Sequence, residues 1–241
     1  MTAHLHAELS DQSAVIAPTP SRRGAGIAGV LAGAGLAVET AGWSASGWTP
    51  QTFTDPATAL QFLRDSGGIL RVAVFVGAVN LVFTVVLLAG LAGWLRAAAP
   101  TRAATTLYCG VVGVAGHALV PLGLWLGAPA FTALAGRDAA TAEGAWAGFN
   151  AVLAAAGAAG ALFLGVAMLA AGSAALTSSA MPTPLGWVAA LAGAASILTA
   201  LAATTPLDSL ASAAYLPSLG LAIVFRTWAG IHLWRVGPGH G

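Results

Sequence analysis

Apolar residues occur along this chain in long blocks, not in strict alternation or on a single helical stripe. Six blocks qualify as membrane spans: 24–43, 70–95, 105–127, 146–172, 185–204 and 213–236. A helix needs about 20 mostly apolar residues to cross a bilayer. The polar punctuation is short: TPQTFTDPATALQFLRDSGG, RAAAPTR, GRDAATAEG, TSSAMPTP and TTPLDS. A segment in lipid must satisfy its own backbone hydrogen bonds, which helices do. The pattern therefore predicts an all-α fold, a six-helix transmembrane bundle with short loops. In the longest connection, TDPATALQFLRD, Thr54 can cap, Asp55 and Pro56 suit a first turn, and Leu60 and Leu63 share a face. This predicts a short surface helix in the first outer loop.

The blocks divide the chain into a disordered cytoplasmic tail over 1–23, a six-span domain over 24–236 and a short tail over 237–241. The first block is too long for the usual signal-peptide core of about 7–15 residues, and it carries Glu39. It reads as a span. No internal repeat is evident.

Composition supports a lipid setting. Of 241 residues, 58% are hydrophobic and only 7% charged, against about 25% charged in a soluble domain. The bilayer is the expected partner, and a net charge of +1 gives no case for nucleic acid. A homo-oligomer or a membrane-protein partner is compatible with the sequence. The expected location is the inner (plasma) membrane. All basic residues are arginine. Arg22, Arg23, Arg96, Arg102 and Arg235 fall on one side, and Arg64, Arg71 and Arg137 on the other. The excess predicts that both termini are cytoplasmic. Trp43, Trp48, Trp94, Trp125, Trp146, Trp187 and Trp234 fall near block ends, as an interfacial belt would.

The informative polar residues within the blocks are Glu39, Asn80, His117, Asn150, Arg226 and His232. A charge at the bilayer centre costs about 2.5–3.5 kcal/mol on insertion scales, so such groups face the bundle interior or water. Small residues flank them at helical spacing, for example Gly35 and Gly42 beside Glu39, and Gly77 and Thr84 beside Asn80. Glu39, Asn80, His117, Asn150 and Arg226 form a candidate buried polar network. Arg71 is its candidate outer mouth, and the whole could form a polar column open to the outside. Glu39 and Arg226 are the sharpest pair, with an axial offset of about 10 Å by helical rise. His117 or Asn80 could act as an intermediate partner. GxxxG spacings at Gly29/Gly33 and Gly123/Gly127, and glycines at 110, 113, 116, 157 and 160, suit close helix packing.

No catalytic residue, cofactor or metal site is expected. The lone Cys109 supports neither a disulfide nor a cysteine zinc site. His4 and His6 lie on a solvated tail. His117 and His232 differ by about 15 Å in depth, which excludes them as two axial ligands of one haem. There is no P-loop, GxSxG or HExxH.

Certain segments carry a family resemblance. They are RRGAGIAGVL, the short outer helix leading to Arg71, FLGVAMLAAGSAALTSSAMPTPLGWVAALAG, and the ending WAGIHLWRVG. In these the chain resembles a bacterial family of six-span membrane proteins, domain of unknown function 4386, over about residues 22–237. The resemblance implies the six-span fold and no particular activity. Members often carry an acidic residue in the last span, near Phe225 and Arg226 of this chain. The expected function is a non-enzymatic structural or sensory bundle. The alternatives are a small-solute or proton-coupled transporter using Glu39, His117 and Arg226, and a membrane enzyme acting on lipid or quinone.

Overall fold

Each apolar block forms one continuous helix. The computed structural model describes residues 20–49, 52–178, 180–203 and 208–236. Among them lie α1 (Arg22–Ala45), α2 (Pro56–Asp65), α3 (Gly67–Leu95), α4 (Pro100–Ala135), α5 (Ala139–Thr177), α6 (Thr183–Ala202) and α7 (Asp208–Arg235). All except α2 are long and apolar enough to span a membrane. The chain is an all-α, multi-pass membrane protein. His4 and His6 and the segment 237–241 fall outside the described residues. Arg22 and Arg23, placed in the tail by the sequence pattern, belong to the first turn of α1, which Ser21 caps.

The spans close into a ring in chain order. α1 packs on α3, α3 on α4, α4 on α5, α5 on α6, α6 on α7 and α7 back on α1. Across the ring α3 also touches α5 and α7. Lipid supplies little hydrophobic drive between helices, so contact depends on how closely backbones approach. Glycines set that approach at three crossings. A Cβ on Gly230 of α7 would lie 2.5 Å from the Val30 nitrogen and 2.6 Å from the Gly26 oxygen of α1. A Cβ on Gly160 of α5 would lie 2.6 Å from the His117 nitrogen of α4. A Cβ on Gly193 of α6 would lie 2.6 Å from the Gly165 oxygen of α5. The glycine stripes of the first and third blocks thus serve contacts within the chain.

α4 and α5 run past the predicted ends of their spans. At 36 residues α4 is about 54 Å long, well beyond the roughly 30 Å of hydrocarbon. Hydropathy marks only the lipid-facing stretch, and alanine-rich sequence continues as helix on both sides of the 136–138 turn. This hairpin carries an aromatic cluster. Trp146 has no exposed surface and its ring lies 5.4 Å from Phe53, 5.4 Å from Phe131 and 6.0 Å from Phe149. It is a packing residue here and not part of an interfacial belt. The buried face of α2, with Ala59, Leu60 and Leu63, closes the cluster against α3, α4 and α5.

Asp55, not Thr54, is the cap of α2. Its carboxylate accepts from the Thr58 N–H at 2.8 Å and the Thr58 hydroxyl at 2.6 Å. The Thr58 hydroxyl, then its N–H, hold the Asp55 carboxyl below its ordinary value of 3.8. Thr141 acts on Asp138 in the same way at the start of α5. A depressed folded value means the ionised cap favours the folded form above the unfolded value. That contribution fades as pH falls through the lower, folded one. Protection from hydrogen exchange in the first turn of α2, taken as the ratio of intrinsic to observed rate at each pH, should therefore fall as pH drops below about 3.8. Asp55→Asn, which caps without titrating, should remove that pH dependence.

Candidate functional site

The polar core is built where α3 faces the α1–α7 seam. Asn80 is 2% exposed and Arg226 7% exposed, while Glu39 is half-buried. Two glycines make room for them. A Cβ on Gly77 would run into the Glu39 carboxylate, so that carboxylate lies over bare α3 backbone. A Cβ on Gly35 of α1 would lie 3.1 Å from the Asn80 Cβ, so Asn80 packs directly against α1.

Arg226 Nη1 donates to Asn80 Oδ1 at 3.3 Å, and Asn80 Nδ2 donates to Glu39 Oε2 at 3.4 Å. Both bonds are long for their type. An asparagine suits this place because its amide accepts from a cation at one end and donates to an anion at the other. Thr84 Oγ1 donates to the Asn80 backbone carbonyl at 3.0 Å, one turn back within α3. Trp43, one turn beyond Glu39, also hydrogen-bonds the carboxylate, and the Tyr215 phenol lies within its field.

Glu39 and Arg226 therefore interact, but not as a direct ion pair. The two side chains lean toward each other from different depths, and the offset leaves a gap that the Asn80 amide fills. The attraction between the charges acts across this bridge.

The remaining members of the expected network separate. His117 on α4 lies within the field of Arg226 and hydrogen-bonds the Gly157 backbone of α5, while its Nδ1 is buried without a partner. Asn150 stands apart from the network. Its Nδ2 donates to the Phe53 carbonyl at 3.1 Å and fastens the segment before α2 to α5. Arg71 is exposed and lines a groove between α3 and α4. His232 lies 5.0 Å from the Trp94 ring and hydrogen-bonds the Ala180 backbone, away from His117.

The expected open column also takes a different form. Beside Glu39, Trp43, Trp48 and Tyr215 follow one another at ring separations of 5.5 and 6.1 Å. The cavity touching Arg226 is only about 10 Å³ and is walled by Thr84, Leu87, Leu88, Leu164, Met168 and Phe225. That is at the lower limit for a single water. Among the described residues no group of three metal-ligating side chains gathers. Sequence reasoning missed Trp43 as a partner of Glu39; its i+4 spacing was the available signal. It also missed Gly230 as the partner of the α1 glycines, for which one sequence holds no signal.

No family model matches the chain, and no curated protein or solved structure matches it.

Proposed function

We propose that this chain is a non-enzymatic integral membrane protein, structural or sensory in role, whose polar core fixes the mutual register of α1, α3 and α7. It would sit in the inner (plasma) membrane with both termini cytoplasmic, as the arginine distribution predicts. A kinship with the 4386 family fits this reading and rests on the quoted segments. The observation that carries the proposal is the Asn80 amide bridging Glu39 and Arg226 in a core whose adjacent cavity is about 10 Å³. Buried polar groups paired across three helices hold those helices in one arrangement, because any slip strips a charge of its partner.

The second reading is a small-solute or proton-coupled transporter. It is favoured by the unpartnered Nδ1 of His117, within the field of Arg226, and by the half-buried Glu39. Proteoliposomes carrying a trapped pH-sensitive dye separate the two. Under an imposed pH gradient and potential, the wild type should leak protons no faster than empty liposomes. A wild-type flux that Glu39→Gln abolishes would replace the structural reading with the transport one.

A further inference from the structure

Arg71 and the groove it borders take no part in the bridge. Arg71 is exposed on α3, and among the described residues no acidic side chain forms an ion pair with it. It borders a groove of about 30 Å³ between α3 and α4, with Leu63 of α2 at the same rim. Leu70, Val74 and Leu124 contribute its apolar walls, and no lining residue is acidic.

The groove lies where the lipid surface begins. Arg71 is the fifth residue of α3, about 6 Å from its start. Beyond it Val72, Phe75, Val79 and Val82 are exposed and apolar, as lipid-facing residues are. Trp125, another lining residue, is exposed, and its ring lies 5.7 Å from that of Phe75. Pro129, in the same lining, has no N–H, so the Trp125 carbonyl loses its usual helical donor.

The geometry points to a site for an anionic phospholipid in the leaflet on the α2 side. The lipid phosphate would pair with the Arg71 guanidinium, a hydroxylated headgroup could donate to the Trp125 carbonyl, and an acyl chain would lie along exposed Phe75 and Val79. Charge complementarity selects the class. The site offers a cation, and no lining anion is available to hold the ammonium of a zwitterionic choline lipid.

Native mass spectrometry of the full chain in detergent tests this, with phosphatidylglycerol or phosphatidylcholine of identical acyl chains. The wild type should retain one phosphatidylglycerol about 5-fold more tightly than phosphatidylcholine, the preference one interfacial arginine confers. Arg71→Gln should erase the preference. Arg137→Gln, in the exposed turn between α4 and α5, should leave it intact. Both variants alter exposed side chains, and a monodisperse elution profile confirms that they fold. No wild-type preference, or equal losses in both variants, would overturn the site. So would inorganic phosphate binding to Arg71 while phosphatidylglycerol does not, since the site would then take a free anion and not a lipid.

Discussion

Asn80→Leu is expected to be the most damaging single change in the polar core. It removes the acceptor of Arg226 and a donor to Glu39 together, at a position 2% exposed. Leaving a buried charge without its partner costs about 3–5 kcal/mol. In detergent the melting temperature should fall by roughly 10 °C, given about 2–4 °C per kcal/mol for chains of this size. The bridge also makes a claim about coupling. Glu39→Leu and Arg226→Leu should each destabilise the protein, and the double variant should lose less than the sum of the two. Non-additivity for groups in one network runs at about 0.5–3 kcal/mol. A double-mutant cycle that closes additively would show that no bridge operates. Repeating the cycle in the Asn80→Leu background should shrink the coupling, because the hydrogen-bonded path is gone and only the longer-range attraction between the charges remains.

Gly230→Leu should be comparably severe through a different cause. The α1–α7 contact closes the ring, and at Gly230 it is backbone against backbone, at 2.5 Å from the Val30 nitrogen and 2.6 Å from the Gly26 oxygen for even a single added carbon. Neither atom is the end of a flexible side chain, so the helices must separate. Overpacking typically costs 1–3 kcal/mol, and backbone-limited sites fall at about 3 kcal/mol or above. The seam would widen at the level of Thr227, whose side chain fills the space over Gly33. Gly220→Leu is the control: it lies on the same helix with nothing within 4 Å of an added Cβ. Thermal unfolding in one detergent should rank Gly220→Leu near wild type and Gly230→Leu far below it. Equal melting temperatures would mean that the seam is looser than these distances require.

Fold class and span number were legible in the chain itself, because lipid imposes the same demand on every spanning segment. About 20 apolar residues and a self-satisfied backbone are local properties, and blocks such as 70–95 and 185–204 carry them without reference to any other part. The burial of Glu39, Asn80 and Arg226 was legible for the same reason, since a polar group in an apolar block has few other places to go. The limits of α4 and α5 were not. Past residue 127 the helix is held by Phe131, Trp146 and α2, which are packing partners and not hydropathy. Partnership inside the core was beyond the sequence as well. Asn80 and Asn150 have the same side chain on a similar small-residue stripe, yet one bridges two charges and the other holds the Phe53 carbonyl. Which role each takes depends on which helix stands opposite and at what height. The ring decided that by placing α1, α3 and α7 together through glycines that approach one another only after the chain has closed.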